Sequence, residues 1–494
     1  LKTTLWPILR RALRSPRAPI VIDDQRTWRY IDLVVGALYL ADHIQRRSTR
    51  QNVGILLPTG GAFPMAAIAA WMLGRTIVPI NYLQSAADRQ YVINDADLDL
   101  IVTVEPLLNF LGERPTGVTL LELDKIAPTF RGIPPFRFPA IADADDLAVI
   151  LYTSGTSGKP KGVMLRHRNL SSNVMSSAAH MKLTRADAFL GVLPQFHSFG
   201  LTALTLIPLS LGAPVIYTAR FSPRRIIDLI KTHRPDIVMF IPSMYTALLT
   251  AKDACPDDFK SIRLAISGGE PLPRETFEKF RQRFNVTIRE GYGLTETSPV
   301  AAVNTPEHER AGSVGKLIPG CHARIVDDHG KVLGPDQEGE IQLAGDNIMA
   351  GYHHLPDLTE QVLGQDGWFK TGDWGKLDRD GFLFITGRKK EMLIIGGENV
   401  FPREIEEILN AHPAVKESAV VGRFDPVRGE VAVAFIELNE DTAFDESQMR
   451  QWLRDRIAPF KVPREIRVVE SLPRNPTGKV MRRQLVEMMR ELAP

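Results

Sequence analysis

Cysteine is scarce in this chain of 494 residues: only Cys255 and Cys321 occur, too few for a disulfide framework and suited to a reducing compartment. A charge excess is equally absent. The 60 Lys and Arg residues nearly balance 58 Asp and Glu, for a net charge of +2, which gives no general electrostatic argument for a nucleic-acid partner. The chain also lacks an unbroken apolar run of membrane-spanning length. Its most apolar long stretch, "LTALTLIPLSLGAPVIYTA" from Leu201 to Ala219, is interrupted by Pro208, Gly212 and Pro214, so it reads as a buried helix followed by a strand. The N-terminal "LWPILRRALRSPRAP" has a basic face beside Leu5, Ile8, Leu9 and Leu13 but not the apolar run and small-residue cleavage site of a signal peptide. It is expected to be a first helix docked on the body, with a membrane-surface helix as the alternative. Internal repeats and low-complexity tracts are missing too. The expectation is a cytoplasmic protein with no transmembrane segment, a monomer or a homodimer.

What is present is the composition of a globular protein, 44% hydrophobic and 24% charged, in a chain too long for one core of usual size. Short apolar strands alternate with helical stretches through the first two thirds. "VGILL" from Val53 precedes the helical "FPMAAIAAWMLG" and the strand-like "TIVPI", and "DIVMFI" and "LAISGG" each sit beside a helical segment. This rhythm predicts a largely parallel sheet flanked by helices. After about residue 310 the pattern becomes short strands with frequent Gly and Asp turns, as in "HARIVDDHGKVL", "GEIQL" and "GFLFITG", which reads as a small barrel or a distorted antiparallel sheet. A charge cluster with few apolar anchors at Lys389 to Glu391 then suits an exposed hinge. It divides the chain into an N-terminal domain, 1–388, and an α+β cap, 391–494, with the hinge near Lys390.

"YTSGTSGKPKGV", residues 152–163, follows the apolar run "LAVILY". Gly155 and Gly158 let a backbone approach a ligand closely, while Thr153, Ser154, Thr156, Ser157 and Lys159 supply donors and positive charge suited to a polyphosphate. The Walker spacing is missing, because Lys159 precedes Pro160 and "KGVML" continues as a strand instead of a helix. Taken alone, a phosphate cradle and an ordinary turn remain equally open.

The loop resembles the phosphate-binding signature of the acyl-adenylate-forming enzymes, the superfamily of acyl-CoA synthetases, peptide-synthetase adenylation domains and beetle luciferases. Further matches follow in order: "PQFHSFG" at 194–200, "SGGEPL" at 267–272, "GYGLTETSP" at 291–299, "GEIQLAGDNIMAGY" at 339–352, "WFKTGDWG" at 368–375, "GFLFITGRKKEMLIIGGENV" at 381–400 and "NPTGKV" at 475–480. The resemblance implies an α/β fold: a large N-terminal domain of two βαβ-type subdomains plus a distorted β-barrel, with a small mobile α+β C-terminal domain. It implies ATP, Mg²⁺ and CoA as cofactors.

By the same resemblance, Thr153 to Lys159 hold the β- and γ-phosphates, Glu296 holds Mg²⁺, and Thr295 contacts the α-phosphate. Gly268, Gly269, Glu270 and Pro271 pack against the adenine. Gly291, Tyr292 and Gly293 border it, Tyr292 as a stacking surface. Asp373 accepts from both ribose hydroxyls, with Arg388 near the same sugar and Ile385 among the nucleotide contacts. Lys479 resembles the family's catalytic lysine, Lys390 stands at its hinge where many relatives carry aspartate, and Gly396 and Gly397 resemble the turn lining the pantetheine tunnel. His197 is assigned to substrate positioning. Phe196, Phe199, Gly200, Met244, Gly269 and Gly293 are pocket candidates, a small and apolar set that suggests a linear aliphatic acid.

The implied function is ATP-dependent activation of a medium- or long-chain fatty acid, or another carboxylic acid, to acyl-AMP, then transfer to CoA. An acyl carrier protein is the alternative acceptor, because "FHSFGLT" and "PVAAVNTPEHERAGSVGKLIPG" look like the synthetase half of bacterial bifunctional acyl-ACP synthetase and lysophospholipid acyltransferase proteins. A degenerate binding module and a luciferase-like oxidase are the readings from other classes. Intact Lys479, Glu296 and Asp373 oppose the first of these.

Overall fold

Strands buried on every residue anchor the architecture. Thr76–Pro79, Leu100–Thr103, Ile237–Phe240 and Leu264–Ser267 are buried throughout, as parallel strands covered on both faces must be. They belong to two sheets in a computed structural model that describes residues 3–135, 137–153, 159–396, 398–425, 428–439, 442–474 and 480–491, with side chains described to residue 489. In one sheet Leu147–Thr153, Thr76–Pro79, Asn52–Ile55, Leu100–Thr103 and Thr119–Glu122 run parallel, in that order. Lys161–Arg166 and Gly351–Tyr352 extend it antiparallel. In the other, Ile288–Gly293, Leu264–Ser267, Ile237–Phe240, Phe189–Gly191, Val215–Tyr217 and Pro19–Ile22 are parallel. Val300–Val303 and Lys316–Leu317 close one end antiparallel, and Thr27–Arg29 the other. The βαβ rhythm therefore builds two sheets.

Helix Ala62–Met72 is buried at every position from Phe63 to Met72, as a helix apolar on all sides requires. It belongs to a core cluster shared by residues of both sheets. The stretch from Leu201 folds as expected into buried helix, Ser198–Leu201 through Ile207–Leu211 with a π-helical turn at Thr202–Leu206, and then strand Val215–Tyr217. The N-terminal helix Leu5–Arg14 buries Leu5, Ile8, Leu9 and Ala12, and its Arg11 donates to the Ser210 carbonyl at 3.3 Å. Leu5, Ile8 and Leu9 thus dock on the body, as the docked reading expected, whereas Leu13 is 79% exposed.

The turn-rich region after residue 310 is a four-stranded antiparallel sheet, Cys321–Val326, Gly339–Gly345, Phe369–Leu377 and Leu383–Arg388. A bridge between Lys316 and Phe382 joins it to the second parallel-cored sheet. Beyond it, Leu393–Ile395, Glu398–Val400, Val415–Asp425, Gly429–Leu438 and Glu465–Val468 form a further sheet. Helices Pro402–Asn410 and Glu446–Arg454 cover it with a core of their own, which includes Ile405, Leu409, Val420 and Leu453. Among the described residues no helix is long and apolar enough to cross a membrane.

Candidate active site

The strands converge on a cavity of about 2840 Å³, several times the roughly 300–1,000 Å³ of a pocket for one small ligand. At one wall the antiparallel pair Leu147–Thr153 and Lys161–Arg166 ends with Thr153 opposite Lys161, and both residues line the cavity. The connecting Ser154, Gly155, Thr156, Ser157 and Gly158 lie outside the described residues. Lys159 is exposed, its Nζ 5.5 Å from the centre of the Tyr91 ring. "KGVML" is a strand, as read from its sequence.

Strand Ile288–Gly293 carries Tyr292 to the cavity and leads into the 3₁₀ turn Thr295–Thr297. Here glycine is obligatory at 293, because a Cβ there would stand 2.0 Å from the Pro299 carbonyl oxygen. Glu296 is anchored at both ends. Its carbonyl accepts from Met349 N at 2.8 Å, and its Oε1 accepts from the Tyr352 hydroxyl at 2.8 Å. Burial, and after it the Glu296 charge, raise the Tyr352 pKa, so Tyr352 stays a donor. The second Glu296 oxygen has no hydrogen-bond partner among the described residues and belongs to a cavity-lining side chain. Thr295 Oγ1 lies 3.3 Å from Ser198 Oγ.

On the antiparallel sheet Asp373 pairs across from Arg388. Asp373 is 3% exposed. Its Oδ2 accepts from the Tyr292 hydroxyl at 2.6 Å, and Arg388 Nε lies 3.1 Å from Oδ1. Burial raises the Asp373 pKa, and the Arg388 charge and the Tyr292 hydrogen bond only partly counter it. Lys390 also lines the cavity, and burial beside Arg388 holds its ammonium below the usual lysine range. On either side of it the chain is tied down separately: Lys389 Nζ to Asp328 at 2.8 Å, and Glu391 to Arg482 Nε at 3.3 Å.

Gly268, Gly269, Glu270 and Gly291 also line the cavity. Gly269 has φ +86°, the left-handed region that side chains disfavour. His197 caps the short helix Ser198–Leu201 and lines the cavity with Phe199 and Met244. Two pocket candidates fall elsewhere. Phe196 is buried edge-on against Tyr82 at 4.9 Å. Gly200 packs where a Cβ would lie 2.1 Å from the Pro194 carbonyl oxygen, so its glycine serves the fold of the turn.

Ile385, expected among the nucleotide contacts, is not on the wall of the large cavity. A register shift between the Trp374–Gly387 and Gly375–Ile385 pairs lies between Arg388 and Ile385, and Ile385 does not share the cavity that Arg388 lines. It lines a separate recess with Trp374 and Phe401, and its carbonyl accepts from Arg403 at 2.8 Å. Pro271 and Gly396 do not line the large cavity. Gly397 and Lys479 lie outside the described residues. Sequence reasoning missed Tyr352, Ser198 and Lys161. Tyr352 ends the "GEIQLAGDNIMAGY" match, and that position was its only available signal.

Residues 8–353 match the family described as AMP-binding enzyme, and residues 404–479 match the AMP-binding enzyme C-terminal domain. The chain is 33% identical over 490 residues to a 2-succinylbenzoate–CoA ligase of Bacillus velezensis, with 98% of this chain and 97% of that protein covered. It is 32% identical over 505 residues to a long-chain-fatty-acid–CoA ligase of Bacillus subtilis, with 92% and 89% covered. The o-succinylbenzoate coenzyme A synthetase of Bacillus subtilis, solved in complex with ATP and a magnesium ion, aligns at a TM-score of 0.85 and 30% identity, covering 97% of this chain and 99% of that one. A family match across most of the length, together with a cavity built from the strands that carry its motifs, leads to one conclusion: the chain is an enzyme that belongs to the AMP-binding enzyme family.

Proposed function

We infer that the protein activates a carboxylic acid with ATP, forming an acyl-adenylate and pyrophosphate, and then passes the acyl group to the thiol of coenzyme A. The observation that carries this reading is the meeting of Asp373, Glu296 and His197 on one cavity. A carboxylate is a poor electrophile, since its leaving group would be oxide. Attack on the α-phosphorus of ATP turns it into a mixed anhydride with AMP as the leaving group, which calls for charge stabilisation more than for a protein nucleophile.

Asp373 accepts from the ribose hydroxyls, oriented by Tyr292 and Arg388. Glu296 suits Mg²⁺, an ion that takes one or two carboxylates and completes its shell with phosphate oxygens and water. One oxygen is fixed by Tyr352, which leaves the other for the ion. When bound, the ion neutralises phosphate charge. Thr153, Lys159 and Lys161 supply the cationic and donor side of the phosphate cradle, and Lys479 bridges the acid and the α-phosphate. His197 positions the substrate. Separate anchoring of Lys389 and Glu391 supports a hinge at Lys390 between residues 1–388 and 391–494, and rotation there would remove Lys479 from the phosphates so that the thiol can enter.

Relatives of near-equal identity act on unlike acids, 2-succinylbenzoate and long-chain fatty acids. A long aliphatic acid is favoured here because Leu193, Phe199, Ile241, Met244 and Val300, and also Val35, Met65, Leu107 and Phe110, line the same cavity as His197. The test is AMP release with a panel of C2 to C18 and aromatic acids, each with CoA and with holo acyl carrier protein. Highest kcat/KM is expected for medium- or long-chain aliphatic acids with CoA. Turnover restricted to aromatic acids would overturn the choice of substrate, and turnover with the carrier protein alone would overturn the choice of acceptor.

A further inference from the structure

Outside the cavity, a second cluster of ligating side chains stands where helix Ala86–Asp95 meets the residues just after strand Gly351–Tyr352. One carboxylate oxygen of Asp95 and one ring nitrogen each of His353 and His354 lie within 4.8 Å of one another. None of the three lines the large cavity. We propose that Asp95, His353 and His354 bind Zn²⁺ and thereby staple the helix to the strands that flank residues 154–158.

Zinc held by tetrahedral N and O ligands at about 2.1 Å has neighbouring ligand atoms about 3.4 Å apart. His354 Nδ1 is already 3.9 Å from Asp95 Oδ1, so small rotations of side chains close the set. The His354 side chain is 64% exposed, so it can turn within its stack on the His353 ring, 3.8 Å between centroids. The other two ligands are held in place. Tyr152 donates to Asp95 Oδ2 at 2.5 Å, which orients the carboxylate as an outer-shell partner orients a metal ligand. His353 Nε2 lies 3.2 Å from the Asp95 main-chain carbonyl, and its N353–O162 main-chain hydrogen bond of 2.7 Å ties it to Gly162.

The donor set points to zinc over magnesium. Imidazole suits borderline transition ions, whereas Mg²⁺ prefers oxygen ligands. Two histidines and one carboxylate leave a fourth tetrahedral position for water. The consequence follows from connectivity: Tyr152 precedes the phosphate loop by two residues, and Gly162 stands on the strand that follows it, so an ion here braces both legs of that loop.

The test uses the full chain, stripped of metal with a chelator, dialysed and titrated with Zn²⁺ against a chromogenic competitor, with the thermal midpoint recorded in parallel. A single equivalent of zinc should bind with a micromolar or tighter Kd and raise the midpoint, while Mg²⁺ at the same concentration does neither. His354→Ala should weaken zinc binding by at least 10-fold and leave the metal-free midpoint unchanged, since the side chain is exposed. Failure of the wild-type chain to bind zinc, or equal binding by His354→Ala, would overturn the proposal.

Discussion

Replacing Asp373 by asparagine separates a ligand-binding role from a structural one. The side chain is buried, accepts from Tyr292 at 2.6 Å and stands 3.1 Å from Arg388. Removing one partner of a buried ion pair usually costs about 3–5 kcal/mol. Arg388 is 44% exposed, however, so water compensates much of the lost partner. A second effect has the opposite sign. Burial raises the Asp373 pKa, so the native state holds this proton more tightly than the unfolded chain. The stability linked to the group is present below the ordinary aspartate pKa and is lost as pH rises through the raised value. At neutral pH the ionised carboxylate therefore opposes folding, and the neutral amide removes that penalty. The two effects largely cancel, leaving a net change of about 1 kcal/mol or less in urea unfolding.

Nucleotide affinity has no such compensation. Asparagine keeps one acceptor and loses the charge, and a hydrogen bond to a charged group is worth about 1.5–3 kcal/mol, which weakens ATP binding about 10- to 100-fold. Isothermal titration with ATP in the absence of acid substrate reads this directly. Protonation removes the charge and one of the two acceptor oxygens, so ATP affinity of the parent should fall on acidification while the pH is still above the ordinary aspartate range, and the variant should show no such step. An ATP Kd within twofold of the parent, in a variant whose stability has fallen by several kcal/mol, would refute the role given to Asp373.

Glu296→Gln keeps an acceptor for Tyr352 but removes the charge offered to Mg²⁺, so stability should hold while pyrophosphate exchange falls about 100-fold. Loss of folding instead, read by circular dichroism, would make Glu296 a structural residue. Gly293→Ala places a Cβ 2.0 Å from a main-chain oxygen that cannot rotate away, and should cost about 1–3 kcal/mol. An unchanged thermal midpoint contradicts that close approach. Lys479→Ala should abolish acid-dependent pyrophosphate exchange and leave thiolysis of supplied acyl-AMP largely intact. Equal loss of both half-reactions argues against its assignment.

Local pattern carried a large part of this protein. Alternation of apolar strands and helices announced parallel-cored sheets, because strands covered on both faces must be apolar throughout. Proline and glycine breaks turned the stretch after Leu201 into helix and strand, and the ordered motifs identified the family before any coordinates. The number of sheets was not legible in the pattern itself, since a βαβ rhythm leaves open which strands become neighbours, and only the family resemblance implied two βαβ-type subdomains.

Side-chain partnership was decided by the tertiary structure alone. Tyr352 meets Glu296 across 56 positions and Tyr292 meets Asp373 across 81, and no local periodicity encodes a contact made through strand register. Ile385 shows the converse. Its motif sits in the expected strand, but a register shift separates it from Arg388, and it lines a different recess from the cavity that Arg388 enters. Composition and spacing settle which groups a chain has to offer, and folding determines which of them face one another, because hydrogen bonds and ion pairs act over a few ångströms of space and are blind to distance along the chain.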